Sequence, residues 1–260
     1  MKRQIKKVLK WRGLLFYLVI VDLKIAYKNK ILGFLWSILD PLIMMIVYVI
    51  LIQIIFKRGE PQFFALLFSS LLAWHWFIYS TNKAARAIVA KRGLIQTINF
   101  PRIILPIQHV ITGLAKYLIS LLALFPIFFI FGIHPGVQIL WLPGIIFIQF
   151  IFTLGLAILV SIVGVYLRDL PNILQFGLRI WFYLSPVLFS VDHRIPLHFR
   201  FLYFLINPFA SIFNAYKNVM VRNLPPSHFL WTWLLLGIFI LFSSLSVFDK
   251  REPKLAKDIV

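Results

Sequence analysis

The stretch VQILWLPGIIFIQFIFTLGLAILVSIVGVYL, residues 137–167, runs for 31 residues without a charged side chain. As a helix it would extend roughly 46 Å, whereas a bilayer core of about 30 Å needs only about 20 apolar residues. A run of this length reads as a membrane span that tilts, bends or projects beyond the hydrocarbon, with Pro143 as a bend point. Working outward, residues 31–56, 61–81 and 103–133 precede it and residues 170–191 and 229–248 follow it, each long and apolar enough to cross. Pro106 and Pro126 punctuate the third stretch, and such prolines are tolerated in spans when neighbours satisfy the freed carbonyls. The expected fold is an all-α integral membrane protein with six transmembrane helices.

Composition agrees. The 260 residues are 61% hydrophobic and 13% charged, against about 45–50% and about 25% in soluble domains. Mean hydropathy is +0.91. An ordinary soluble enzyme is excluded. With no cysteine, disulfides, thiolate metal sites and a cysteine nucleophile are excluded as well.

The charge is lopsided, 27 Lys and Arg against 8 Asp and Glu, which in a soluble chain would suggest nucleic acid. Position explains it better. With the N-terminus inside, nineteen of the 27 basic residues fall on cytoplasmic segments. Six fall outside (Lys57, Arg58, Arg194, Arg200, Lys217 and Arg222), and Lys116 and Arg179 lie within spans. That bias places both termini in the cytoplasm and leaves no surplus that calls for nucleic acid.

Residues 1–30 carry Ile5, Val8, Leu9, Phe16, Ile20, Leu23 and Tyr27 at roughly helical spacing among lysines. This reads as an amphipathic helix in the cytoplasmic interface, its lysines toward anionic membrane lipids. Its apolar core is too short to span and no signal-peptide cleavage pattern follows it. The organisation is then an interface helix over 1–30, a six-span domain over 31–248 and a cytoplasmic tail over 249–260. Within the span domain, residues 192–228 hold four prolines and two apolar islands too short to cross. They read as re-entrant elements before the last span, a hairpin dipping back from the outer face with Asn207-Pro208 near its tip.

Catalytic groups are scarce. No two of the eight acids share a helical face inside a span, and the six histidines show no metal-ligand spacing, so no metal or catalytic site is expected. The phosphate-binding G-x-x-x-x-G-K-[ST] loop is absent, so the chain is not expected to hydrolyse nucleotide itself. What remains are costly intramembrane charges: Asp40, Lys116 and Arg179. Each costs at least about 2.5–3.5 kcal/mol in lipid and should face a bundle interior or a wet path. Aromatic residues near span ends, among them Trp36, Trp74, Trp76, Trp141, Trp181 and Tyr183, either anchor the interface or line a wide channel.

The segment between the second and third spans suits docking. Lys83, Arg86, Lys91 and Arg92 accompany Ala84, Ala87, Ile88 and Val89, and Gly93 reads as a helix stop. Leu94, Ile95 and Ile98 then lead to Asn99-Phe100-Pro101-Arg102. A short amphipathic helix with an apolar patch outside any span fits a partner groove.

Five ordered segments resemble the membrane subunit of polysaccharide-exporting ABC transporters. They are KILGFLWSILDPL from Lys30 to Leu42, NFPRIILP from Asn99 to Pro106, and Arg168-Asp169-Leu170-Pro171. Trp181 to Val187, WFYLSPV, and Asn207-Pro208 with Lys217 complete the set. The chain departs from the family's usual Asn at Asp40 and usual Arg at Lys217. The resemblance implies export of a lipid-linked polysaccharide of the O-antigen, capsule or teichoic-acid kind across the cytoplasmic membrane. It implies a homodimer forming the channel, with two copies of a separate ATP-binding subunit. ATP and magnesium would reside on that subunit, with no cofactor on this chain. On this reading Lys83, Arg86, Ile88, Lys91, Arg92, Leu94, Ile95, Phe100 and Arg102 couple to the ATPase. Lys28, Lys30, Arg168 and Arg179 would receive a lipid pyrophosphate, by charge and by bidentate pairing. Trp36, Trp74, Trp76, Lys116, Trp181, Tyr183 and Asn207 would line the channel or its gate. The competing expectations are a small-molecule or drug exporter of the same class and an ATP-independent lipid flippase.

Overall fold

The computed structural model describes residues 2–28, 33–57 and 62–258, and the protein is helical throughout them. Two helices, α1 (Lys2–Lys10) and α2 (Arg12–Tyr27), open the chain. The interface segment is therefore not one helix: it breaks at Trp11, whose backbone leaves the helical region at φ −101°, ψ 20°. α3 (Trp36–Val49) continues into a π-helical turn (Ile50–Ile55), and α4 (Phe63–Ala90) follows. Next come α5 (Arg92–Thr97), α6 (Ile104–Ile130), α7 (Leu142–Tyr166) and α8 (Leu170–Leu184). Three short helices, α9 (Val191–Arg194), α10 (Leu197–Ile206) and α11 (Pro208–Lys217), lead to the long α12 (Phe229–Asp258).

Among the described residues five segments are long and apolar enough to cross a membrane: Ile38–Ile55, Phe63–Ala90, Ile104–Ile130, Val137–Tyr166 and Phe229–Pro253. The chain is a multi-pass membrane protein. The stretch expected as a fifth span, 170–191, is different. Its helix stops at Leu184 after 15 residues, about 22 Å. The cause is local: Ser185 precedes Pro186 and is extended (φ −98°, ψ 151°), the conformation that a following proline favours.

The core is built by α4, α6, α7 and α12. Backbones approach closely where side chains are smallest. A Cβ on Gly164 of α7 would collide with the Ala85 carbonyl of α4, and one on Gly155 would lie 2.9 Å from the Leu241 backbone nitrogen of α12. Small residues serve this purpose in membrane bundles, where association relies on packing rather than on water exclusion. Gln149 of α7 adds a buried hydrogen bond, donating to the Ala73 carbonyl at 2.8 Å. Around this frame Phe68, Phe77, Phe152, Phe209, Phe213 and Tyr216 fill one aromatic-rich core.

Two sequence-based boundaries shift. The second span and the expected short docking helix are a single α4, because no breaker interrupts residues 82–90 and Ala84, Ala85, Ala87 and Ile88 are buried. Gly93 is not the stop. α4 ends at Lys91 (φ −106°, ψ 24°), and Gly93 lies inside the six-residue α5. Likewise the tail after residue 248 continues α12 to Asp258. It is held there by polar contacts to α1. Gln4 Nε2 donates to Asp249 Oδ1 at 2.8 Å and to Glu252 Oε2 at 2.9 Å, and Lys7 Nζ meets Glu252 Oε2 at 2.6 Å. The first and last helices thus meet at one end of the bundle. A second apolar cluster lies there, joining Leu15 and Leu18 of α2 to Ile88, Phe100, Ile104 and Phe248.

Candidate functional site

α8 is apolar at most positions, yet Asn172, Gln175, Arg179 and Tyr183 follow one another at steps of three and four residues and are all exposed. That spacing makes one polar stripe along a single helix face. Opposite it stand Met44 and Tyr48 of α3 and Trp74, His75, Ile78 and Asn82 of α4. Together they enclose a cavity of about 340 Å³ into which Gln175, Arg179 and Tyr183 face. Among the described residues of this wall Arg179 is the one guanidinium or ammonium group, with His75 beside it and no acid. Its guanidinium carbon lies 5.9 Å from the Phe176 ring centre.

A second cavity, about 190 Å³, lies on the other side of His75, which lines both. Its wall includes Trp36, Asp40, Trp76, Tyr79, Lys116 and Ser120. The Lys116 ammonium stands 4.0 Å from the Tyr79 ring centre. Trp76 stacks on Tyr117 (5.4 Å, 22°) and donates its indole N–H to the Val110 carbonyl at 3.2 Å. The expected channel residues therefore divide three ways. Trp36, Trp76 and Lys116 share the smaller cavity, and Tyr183 borders the larger. Trp74 touches the larger cavity but is only 2% exposed, locked edge-on against Phe209 at 5.1 Å.

Trp181 and Asn207 belong to a different construction. Asn207 is buried at the turn between α10 and α11, where its Oδ1 accepts from the Phe209 backbone N–H (3.1 Å) and from the Trp181 indole (3.2 Å). Its Nδ2 donates to the Leu184 carbonyl at 3.1 Å. Asn207 is thus an N-cap that also fastens the end of α8 to α11. Lys217, 2% exposed, completes the fastening: its ammonium donates to the carbonyls of Pro186 (2.5 Å), Phe189 (2.8 Å) and Val187 (3.3 Å). On the outside of this turn Trp181, Phe199, Tyr203 and Ile206 border an apolar cavity of about 540 Å³. Asp192, beside His193 in sequence, faces Arg200 at 3.4 Å and Arg222 at 3.3 Å.

The expected coupling residues also separate. Lys83, Arg86 and Arg92 are exposed along one edge of α4 and α5, and Lys91, Leu94 and Ile95 are half-buried beside them. Ile88 and Phe100 are 1% and 5% exposed, so they support this edge from beneath and cannot meet a partner themselves. Arg102 donates to the Glu252 carbonyl at 3.1 Å, tying the start of α6 to α12. Of the expected pyrophosphate ligands, Lys28 is exposed at the end of α2, Arg168 is exposed in the turn between α7 and α8, and Lys30 lies outside the described residues. Arg179 sits eleven residues beyond Arg168, on the cavity wall.

Sequence reading missed Asn172, Gln175, Tyr48 and Asn82, although the stripe on α8 was visible as a spacing of three and four. It also missed the pair of Asp22 on α2 with His109 on α6, Nδ1 to Oδ2 at 3.0 Å. Half-burial pushes the Asp22 carboxyl up, but hydrogen bonding and charge from His109, with help from Gln108 and Lys91, hold it below its ordinary 3.8. Among the described residues no group of three or more His, Asp or Glu side chains could hold a metal ion.

Comparison with known proteins places this arrangement. The chain is 31% identical, over the whole of both sequences, to the O-antigen export system permease protein RfbA of Myxococcus xanthus. It is 27% identical to the protein of the same name from Klebsiella pneumoniae, over 94% of this chain and 96% of that one. It is 22% identical to the polysialic acid transport protein KpsM of Escherichia coli, over 89% and 90% respectively. The family model described as ABC-2 type transporter matches residues 13–221, and the chain belongs to that family of transporter membrane subunits.

Proposed function

We propose that this chain is the transmembrane subunit of an ABC transporter that exports a lipid-linked polysaccharide across the cytoplasmic membrane. The observation that carries the reading is the exposed stripe Asn172, Gln175, Arg179 and Tyr183 on an otherwise apolar helix. Such groups are costly against lipid, at about 2.5–3.5 kcal/mol for Arg alone, so this face turns toward a polar path. The names of full-length relatives supply the cargo class.

Two copies of the chain would meet across the α3 and α8 faces and enclose that path, with both termini in the cytoplasm. Support comes from α3, of whose span Ile38–Ile55 only 6% is buried within one copy, although it carries Asp40 and Gln53 on its exposed surface. Two ATP-binding subunits would grip the Lys83, Arg86 and Arg92 edge, and nucleotide with its magnesium would stay on them. Lys28 and Arg168 would receive the lipid pyrophosphate, and Arg179 would take it up farther along. The α10–α11 hairpin, fastened by Asn207 and Lys217, would gate the outer end.

The test is a strain lacking this protein, complemented with the wild type or with Arg179→Gln. Wild type should restore surface polysaccharide and co-purify with an ATPase. The Arg179→Gln chain should reach the membrane and hold the ATPase but leave polysaccharide inside. Normal surface glycan in the uncomplemented strain would overturn the reading.

A further inference from the structure

α5 is lightly anchored. None of its six residues is buried, and only the half-buried Leu94 and Ile95 border the apolar cluster of Leu15, Leu18, Phe100 and Phe248. A helix held by so few buried contacts yields readily to a push. The chain beyond it is fixed firmly, because Arg102, just before α6, is tied to Glu252 near the end of α12.

Glu252 joins three elements. Its backbone carbonyl accepts from Arg102 at 3.1 Å. One carboxylate oxygen, Oε2, accepts from two residues of α1, Gln4 at 2.9 Å and Lys7 at 2.6 Å. Both Glu252 and Gln4 are buried, and Asp249, three residues earlier on α12, takes the same Gln4 amide at 2.8 Å. Stability alone does not call for such a clasp. Leu18, Phe100 and Phe248 already bury apolar surface beside it, and a buried ion pair is often no better for stability than apolar side chains of similar volume. What the clasp adds is direction. Apolar contact is non-directional, so packed helices can slide, whereas hydrogen bonds aimed at single oxygens fix both position and rotation.

We propose that Glu252 is a positioning residue: it makes α1, the end of α12 and the start of α6 move as one body, so that displacement of α5 by the ATPase reaches the interface helices. The inference rests on the export reading above and deepens it, by naming what carries the docking movement to the membrane surface. α2 follows α1 directly and exposes Phe16, Tyr17 and Ile20, so movement of the pair is felt where those side chains meet lipid.

Charge reversal in the complex with its ATPase tests the clasp. Glu252→Lys and Lys7→Glu each set like charges together, and the double variant restores an ion pair of opposite polarity. Gln4 accommodates the reversal, because its Oε1 is buried without a hydrogen-bond partner and can accept from an ammonium at position 252. Surface polysaccharide is measured in complemented strains and ATP hydrolysis in lipid nanodiscs, both per amount of assembled complex. Each single variant should hydrolyse ATP within about twofold of wild type yet export about tenfold less, inside the roughly 5–150-fold range of couplings between sites. The double variant should recover export to within about threefold of wild type. Should the like-charge variants fail to assemble, Glu252→Gln decides: it keeps the size and the Arg102 contact, and should lower export relative to hydrolysis about threefold. A proportional fall of export and hydrolysis, a double variant no better than the singles, or an unchanged ratio in Glu252→Gln would make Glu252 structural only and overturn the proposal. Failure of the wild type to export or to hold an ATPase would sink the export reading and the clasp with it, whereas a failed ratio sinks the clasp alone.

Discussion

α4 and α3 are neighbours that a membrane treats in opposite ways. Of the most apolar eighteen residues of α4, 78% are buried inside one copy of the chain, whereas across the span that begins in α3 the share is 6%. α4 is the mast on which α6, α7 and α11 pack, and its buried serine and threonine hydroxyls are satisfied by its own carbonyls. Ser80 and Thr81, for example, donate to the carbonyls of Trp76 and Phe77. α3 and α8 make the opposite face, where Asp40, Gln175 and Arg179 are exposed. Mean apolarity misleads, because the less buried span, Ile38–Ile55, is the more apolar of the two. What separates them is where polar groups go: the buried hydroxyls of α4 close on its own carbonyls, whereas the three named on α3 and α8 are exposed, as the proposed path requires.

Four substitutions test this contrast, from the largest expected loss of stability to the smallest. Gly164→Leu drives a side chain into the Ala85 carbonyl and should cost about 3 kcal/mol or more, seen as loss of monodisperse protein on detergent extraction. Lys217→Met removes the donor shared by three carbonyls and should cost about 2–3 kcal/mol in thermal unfolding, while freeing the loop after α8. Asp22→Asn should cost about 1 kcal/mol at neutral pH. Because the folded carboxyl lies below 3.8, its contribution is complete above that pH and is lost as pH falls through the folded value. The wild-type and Asp22→Asn melting curves should therefore converge only as pH falls through the folded value, below 3.8. Arg179→Gln should move stability by no more than about 0.5 kcal/mol, since the side chain is exposed, yet abolish export. A large stability loss for Arg179→Gln would erase the distinction between the two faces.

Much of the fold was legible because the bilayer imposes a length rule. Residues 137–167 announced a span, and the structure has one at Val137–Tyr166. Elsewhere local signals misled. Gly93 looked like a helix stop, but α4 had already ended at Lys91, because burial of Ala84, Ala85, Ala87 and Ile88 carries the helix up to that point and no farther. Residues 170–191 read as one continuous stretch, but the helix stops at Leu184, a break imposed by Pro186 that hydropathy does not register. The candidate site was half visible. Arg179 and Tyr183 stood out singly as a charge and an aromatic ring, while Asn172 and Gln175 gained meaning only once α8 was seen to expose that face.

Sequence was enough to establish an all-helical membrane protein without a nucleotide loop, with a basic segment between its second and third spans. Those properties follow from length, apolarity and charge position, which are local. Tertiary structure alone decided which polar groups are spent on holding the fold and which are left to act. Asn207 read as a channel or gate residue and Lys217 as an external charge, and both are engaged by backbone groups, Asn207 by Leu184 and Phe209 and Lys217 by Pro186. Asp40 and Lys116, seventy-six residues apart, come to line one cavity. A hydrogen bond or a cavity wall depends on partners brought together by packing, and no window of sequence contains both.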